Sequence, residues 1–145
     1  MLAERHLQQD RYDLARIDYE QLLQWRPQDA RLLNNYAHIL RRLGQPNALE
    51  VAERAQQLAP DDPSINDTLG WMLVQANAPQ RGLAFLRNAH SRAGFEPTIL
   101  YHIAVALHRL ERNAEARREL ESALASKRPF AERTAAQALL ARIAK

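Results

Sequence analysis

The chain has no cysteine among its 145 residues, which removes disulfides, thiolate metal sites and a cysteine nucleophile from consideration. Glycine occurs only four times and phenylalanine three times, whereas the strong helix formers Ala, Leu, Arg, Gln and Glu dominate. No apolar run reaches the roughly 18 residues that a membrane span requires, so we predict no direct membrane insertion. No stretch alternates apolar and polar residues, so we expect no sheet. The chain is predicted to be all-α.

Catalytic and metal-binding patterns are also missing. The chain has five histidines, but His102 and His108 are six residues apart, about 240° around a helix, and cannot bind one metal from the same face. No HExxH pattern, Gly-rich phosphate loop or nucleophile elbow occurs. Asp61 and Asp62 read as a turn and a helix cap rather than an acid/base pair. We therefore predict no enzyme activity, no metal site and no cofactor.

The net charge of +3 is small for this length, and 18 of the 20 basic residues are Arg. Binding to nucleic acid requires a dense basic stripe. The pairs Arg41-Arg42 and Arg117-Arg118 are isolated and have acidic residues nearby, so we predict no nucleic-acid partner. Either the arginines form a solvated face with alternating glutamates, or they bind carboxylates or phosphates in a bidentate manner.

Small residues return every 33 or 34 positions along the chain. Such a period is the sequence signature of stacked helical repeats, an architecture that holds another molecule. A residue with one side-chain carbon or none lets two helix axes approach closely, and larger partners such as Leu40, Leu73 and Leu107 then fill the space beside them. The three series are Ala3, Ala37, Gly70 and Ala104; Ala15, Ala48, Gly82 and Ala116; and Leu22, Ala55, Ala89 and Ala123.

Start and stop signals divide the chain into nine helices. Asp62-Pro63 places an acidic N-cap before a proline at the first helical position, and Pro79, Pro97 and Pro129 mark similar starts. Gly44 and the region of Gly94 lie where helices should end. Short connections make neighbouring helices antiparallel. The predicted spans are 1–9, 11–24, 30–43, 47–58, 63–76, 79–92, 97–110, 113–126 and 130–144.

The repeat resembles the tetratricopeptide repeat, whose pattern has tiny residues at fixed positions of a helix pair. Three registered copies carry the resemblance, one of which reads Leu33-x2-Tyr36-Ala37-x2-Leu40 and then Ala48-x3-Ala52. The resemblance implies a right-handed α-solenoid of antiparallel helix pairs, with about 3.5 repeats and a C-terminal capping helix. We expect a single domain, 1–145, made of a truncated repeat 1–29, repeats 30–62, 63–96 and 97–129, and a cap 130–145.

Tetratricopeptide proteins bind extended peptides or helices along the first helices of their pairs. The resemblance therefore implies a concave groove with Trp71 and Tyr101 as anchors, asparagines for a peptide backbone and arginines for carboxylates. Trp71 could instead turn into the core, and Trp25 is expected to pack. The expected groove residues are Arg31, Asn34, Asn35, His38, Arg41, Arg42, Asp67, Trp71, Gln75, Tyr101, His102, His108 and Arg109; the same repeat positions also include Val74.

The two ends are expected to differ. The C-terminal helix has an apolar side (Ala131, Ala135, Ala138 and Leu139) and a polar side, as a capping helix should. At the N-terminal edge Leu2, Leu7 and Leu14 are expected to be poorly covered. Either further repeats precede this segment, or the edge self-associates in a homodimer.

The last eighty residues resemble the C-terminal end of bacterial tetratricopeptide lipoproteins of exopolysaccharide-export and PEP-CTERM systems. The strings Asp67-Thr68-Leu69-Gly70-Trp71 and Tyr101–Leu107 carry this resemblance. It implies a periplasmic scaffold, whereas the sequence as given is compatible with the cytoplasm. The leading hypothesis is a non-catalytic module that binds a protein or peptide partner. The alternative is a module for self-association within a larger export-related protein.

Overall fold

The computed structural model describes residues 1–144, and within them the chain is all-α, with nine helices and no strand. The predicted fold class is confirmed. Eight of the nine helices begin and end within about two residues of their predicted bounds. The helices are α1 (Leu2–Gln8), α2 (Tyr12–Trp25), α3 (Ala30–Arg42), α4 (Ala48–Leu58), α5 (Pro63–Gln75), α6 (Pro79–Ala93), α7 (Pro97–Arg109), α8 (Asn113–Ala125) and α9 (Arg133–Ile143).

The start of α9 is the exception, because this helix begins at Arg133 rather than at residue 130. The guanidinium of Arg133 donates to the backbone carbonyls of Leu124, Ser126 and Arg128. These bonds hold the preceding segment as a loop at the end of α8. The expected helix start beside Pro129 is therefore wrong.

Acidic residues cap α3 and α5 at equivalent repeat positions. One carboxylate oxygen of Asp29 accepts from the backbone amides of Arg31 and Leu32, at 3.0 and 3.1 Å. Asp62 accepts from the amides of Ser64 and Ile65 at 2.9 and 3.2 Å. Each side chain satisfies donors that the first helical turn leaves unpaired. The predicted cap before Pro63 is confirmed.

The turn inside each helix pair contains one residue with a positive φ. These residues are Asp10, Gly44, Asn77 and Glu111, with φ between 55° and 68°. In each turn the next amide donates back to a carbonyl five residues earlier, for example Gln45 to Leu40 at 2.8 Å. This is the helix-ending bond that a left-handed residue permits. The spacing of 34, 33 and 34 residues shows that the repeat governs backbone conformation as well as side-chain size.

The chain forms two compact units, Met1–Leu69 and Gly70–Lys145. In the first unit α1 packs on α2, α2 on α3 and α3 on α4. Its core includes the fully buried Tyr19 and Ile39. Asn66 is also buried, and its amide donates to the carbonyls of Pro60 and Asp62 at 2.8 and 3.1 Å. The side chain of Asn66 therefore ties the turn before α5 to the helix itself.

In the second unit α6 packs on α7, α7 on α8 and α8 on α9. Gly70 of α5 meets Gly82 of α6 so closely that a Cβ built on Gly82 would lie 2.6 Å from the Gly70 carbonyl oxygen. It would also lie 2.7 Å from a methyl carbon of Val74. Only glycine fits between these two backbones.

The recurring small residues occupy the helix contacts that the period predicts. Gly70 and Gly82 are buried, as are alanines at the equivalent positions of the other pairs. Since a methyl group or a hydrogen at these sites allows close packing, the period arises from helix contact. The buried alanines are Ala3, Ala15, Ala37, Ala48, Ala55, Ala89, Ala104, Ala116 and Ala123.

Candidate functional site

In the first unit, three of the expected groove residues line one polar cavity. Arg31, Asn34 and Asn35 of α3 surround a space of about 340 Å³ together with Asp62, Ser64 and Ile65. The Oδ1 atom of Asn34 is buried and has no hydrogen-bond partner within residues 1–144. The amide of Asn35 donates to the Tyr19 hydroxyl at 3.1 Å. The oxygen of Asn34 is therefore unpaired within these residues, while Asn35 is engaged with the core.

A second cluster in this unit forms around Tyr12, which sequence reasoning did not select. The His38 ring meets the Tyr12 ring edge-on, with centroids 6.2 Å apart, and the Arg42 guanidinium lies 5.0 Å from the Tyr12 centroid. Burial, with the nearby charges of Arg41 and Arg42, lowers the pKa of His38. Burial likewise lowers the pKa of the half-buried Arg41. The expected residues thus gather against an α2 tyrosine.

In the second unit, three aromatic rings form one cluster. The rings of Trp71 and His102 are stacked, with centroids 4.2 Å apart and planes 16° apart. Tyr101 completes the group at 6.0 Å from Trp71. Trp71 and Tyr101 are half-buried and pack on the core, so part of each ring still faces solvent.

Two expected groove residues of this unit are buried instead. His102 is only 6% exposed, and its ring is stacked on Trp71 rather than open to solvent. Val74 is fully buried in the core. Its backbone carbonyl accepts from the guanidinium of Arg109, which lies one repeat later.

A cavity of about 490 Å³ lies between α7 and α9. The bond to Val74 anchors Arg109 at this cavity, and a hydrogen bond of 2.7 Å between the imidazole Nδ1 of His108 and the side-chain oxygen of Asn113 holds His108. Burial raises the pKa of Tyr101. The cavity is lined by Tyr101, Val105, His108, Arg109, Ala135, Ala138, Leu139 and Arg142.

The residues of α9 that pack on the core differ from the apolar side predicted from the sequence. Its buried stripe is Ala136 and Leu139, with Leu140 and Ile143 partly buried, at the spacing of one helix face. Of the expected apolar side, Ala131, Ala135 and Ala138 are exposed. The two last alanines line the cavity, so α9 contributes to a candidate site as well as covering the core. The sequence shows the apolar residues of this helix, but it does not show which of them face the core and which face the cavity.

The two remaining expected residues, Asp67 and Gln75, line neither the Asn34 cavity nor the α7/α9 cavity. Asp67 in the first unit is half-buried, and Gln75 in the second unit lies exposed at the end of α5. The structure brings Arg31, Asn34 and Asn35 together, then His38 with Arg41 and Arg42. It brings Trp71, Tyr101 and His102 together, and places His108 and Arg109 at the α7/α9 cavity.

The N-terminal edge carries an apolar surface. Leu2 is 59% exposed and Trp25 is 85% exposed, and both line a cavity of about 410 Å³ with Met1, Ala3, Asp18, Gln21 and Leu22. The expectation that Trp25 packs is wrong, because α2 ends at this residue, beyond the buried positions Ala15 and Tyr19. The expected exposure of Leu2 is confirmed. Leu7 is better covered than expected and packs on the core of the first unit.

Within residues 1–144, no group of three or more His, Asp or Glu side chains is arranged to hold a metal ion. In the same residues, no helix has the length and apolar character needed to cross a membrane.

Comparisons with known proteins agree with this architecture. Residues 1–29 match the family model of the tetratricopeptide repeat. Among curated protein sequences, none matches the chain. The crystal structure of PilW, described as a widely conserved type IV pilus biogenesis factor, shares 21% identity and covers 97% of this chain and 68% of its own, with a TM-score of 0.83.

Two further solved structures are similar. MamA 41-end from Desulfovibrio magneticus RS-1 shares 17% identity over 85% of this chain and 70% of its own, with a TM-score of 0.75. YrrB, described as a tetratricopeptide protein with an unusual peptide-binding site, shares 20% identity over 84% of this chain and 63% of its own, with a TM-score of 0.73. The chain has the tetratricopeptide-repeat fold.

Proposed function

We propose that the chain is a non-catalytic protein–protein interaction module that binds a peptide or helix through the first helices of its pairs. The observation that carries the proposal is the half-buried pair of Trp71 and Tyr101, of which Tyr101 also lines the α7/α9 cavity. Aromatic side chains that are fixed by packing and still partly exposed are the usual anchors of interfaces. YrrB, which has the same fold, has a peptide-binding site.

The two tryptophans provide a matched test. A library of random 12-residue peptides displayed on phage is selected on the immobilised protein, and the affinities of the selected peptides are then measured. Trp71→Ala is expected to weaken binding by about 30-fold, the effect of losing a hot-spot contact of roughly 2 kcal/mol. Trp25→Ala removes the same side chain from the first unit and is expected to leave the affinity unchanged.

Trp71 also packs on the core, so its loss could act through stability. Trp71→Leu retains apolar volume against the core while removing the aromatic surface. Circular dichroism shows whether each variant is folded. Full binding by folded Trp71→Ala and Trp71→Leu, or the selection of no peptide at all, would contradict the proposal.

A second candidate is self-association through the N-terminal edge, favoured by the exposure of Leu2 and Trp25 beside an apolar cavity. A closed dimer would cover the same surface on both copies. Light scattering over a dilution series is expected to show a dimer that Leu2→Glu and Trp25→Ala disrupt and Trp71→Ala does not. A monomer at every concentration would exclude this candidate.

The placement of this module in a bacterial export lipoprotein remains a proposal drawn from the sequence of its last eighty residues. A periplasmic location follows only from that resemblance.

A further inference from the structure

The α7/α9 cavity combines an apolar surface with unbalanced positive charge. Val105 of α7 and Ala135, Ala138 and Leu139 of α9 provide its apolar lining. At about 490 Å³ it falls within the range of roughly 300–1,000 Å³ that is usual for ligand pockets. Because two of the four apolar residues are alanines, the space beside α9 is open to a side chain from another molecule.

The charge comes from Arg109 and Arg142, and no carboxylate belongs to the lining. Arg142 is exposed, and its guanidinium makes no hydrogen bond or ion pair with any residue in 1–144. Arg109 donates to the Val74 carbonyl, which restrains its position without neutralising its charge. A fixed arginine forms a charge-assisted bond to a carboxylate at a lower entropic cost than a mobile one.

One acid lies near the cavity but does not line it. One carboxylate oxygen of Glu132, before α9, accepts from the hydroxyl of Thr98 at 2.9 Å. Its charge helps to raise the pKa of Tyr101, whereas the charge of Arg109 acts in the opposite direction. Glu132 is outside the cavity lining, so the positive charge of Arg142 has no counterpart there.

Resting on the proposed function, we infer that the α7/α9 cavity selects an acidic partner segment, in which a large apolar side chain is followed or preceded closely by Asp or Glu. The apolar side chain enters beside Val105 and Ala138, and the carboxylate pairs with Arg142 and Arg109. Charge complementarity favours this class of partner, because the two arginines would repel a basic segment and would lack a carboxylate beside a purely apolar one.

The random peptide library provides the first measurement. Peptides selected on the wild-type protein are expected to be enriched in Asp or Glu within a few positions of Leu, Ile or Phe. One selected peptide is then synthesised in three forms: unchanged, with its acids replaced by their amides, and with its apolar residue replaced by Ser. Both altered forms are expected to bind at least fivefold more weakly.

Two variants of the protein test the site from the other side. Arg142→Gln removes one charge and is expected to weaken binding of the acidic peptide up to about fivefold, as an exposed ion pair does. Its control, Arg118→Gln, removes an exposed arginine from α8, outside the cavity.

Ala138→Leu fills the cavity and is expected to weaken binding at least tenfold. Its control, Ala141→Leu, adds the same side chain to an exposed position of α9 that does not line the cavity.

The outcomes distinguish a failure of this inference from a failure of the proposed function. Peptides that depend on Trp71 but show no acidic enrichment and are unaffected by Arg142→Gln and Ala138→Leu would leave the interaction function standing and overturn this inference. Selection of basic peptides, or a self-association that Ala138→Leu abolishes, would overturn it as well. The absence of any selected peptide would remove the proposed function and this inference with it. Circular dichroism of each variant confirms that losses of affinity do not come from unfolding.

Discussion

Replacing Gly82 by alanine tests the claim that backbone approach sets the packing of α5 against α6. In an ordinary helix this change is stabilising by roughly 0.5–1 kcal/mol, because alanine loses less conformational freedom on folding. Here the added Cβ would lie 2.6 Å from the Gly70 carbonyl oxygen and 3.1 Å from the Val74 nitrogen. Neither atom is the end of a flexible side chain, so the helices themselves must move apart.

Overpacking of a filled core costs roughly 1–3 kcal/mol. Subtracting the gain in helix propensity leaves an expected net destabilisation of roughly 0.5–2 kcal/mol. Gly70→Ala is expected to cost somewhat less, because its contact with backbone, 2.9 Å to the Gly82 carbonyl oxygen, is longer than the 2.6 Å contact of Gly82, although its Cβ would also lie 2.7 Å from the Cγ of the buried Leu86. The order of the two variants thus follows from the length of the backbone contact that each new Cβ would make.

The measurement is the free energy of unfolding, from urea titrations followed by circular dichroism at 222 nm. Ala84→Gly is the control, because Ala84 lies exposed on the same helix and reports propensity alone. It is expected to lose roughly 0.5–1 kcal/mol. If Gly82→Ala were more stable than the wild type by the amount that Ala84→Gly loses, the close approach of the two glycines would be refuted.

Three further perturbations have defined outcomes. Glu111→Gly is expected to stabilise the protein by up to about 1 kcal/mol in urea titrations, since Glu111 has a φ of 60° that favours glycine; Glu111→Ala should bring no such gain. Asn66→Ala is expected to destabilise it by roughly 1–3 kcal/mol, because the Pro60 carbonyl loses the side-chain donor while the Asp62 carbonyl keeps only the backbone amide of residue 66; a Tm equal to wild type would contradict this. Folding lowers the pKa of His38 below its ordinary value of 6.5, so the unfolded state binds more protons and the free energy of unfolding should fall as the pH drops below 6.5. His38→Gln should remove that part of the pH dependence, and an unchanged dependence of stability on pH would show that His38 contributes none.

The sequence predicts the helices of this protein well because the repeat imposes the same contacts four times. Ala37, Gly70 and Ala104 must be small wherever two helices touch, and this requirement shows in composition alone. The left-handed turns illustrate the limit. Gly44 is a recognisable helix stop, whereas Asp10, Asn77 and Glu111 adopt the same conformation with ordinary side chains. Only alignment of the repeats on the Gly44 turn would have revealed them.

The candidate site was predicted less completely, because it depends on where side chains point relative to neighbouring helices. The repeat position of His102 matches that of ligand-facing residues, but its ring stacks on Trp71 and is buried. Trp25 is a large aromatic residue of the kind that usually packs, yet it is the last residue of α2 and its side chain is exposed. In both cases the deciding contact, or its absence, involves a residue that the period does not constrain.

Helix α9 has apolar residues on two of its faces, one buried and one exposed. A helix that only closes a repeat stack needs one apolar stripe toward the core and a polar outer face. Ala136 and Leu139 provide the first, but Ala135 and Ala138 place a second apolar strip on the exposed side, followed by Arg142 one turn later. Covering the core does not require that strip, since the residues that pack are already present. A partner that uses both the apolar strip and the arginine accounts for it, which is why α9 belongs to the proposed site.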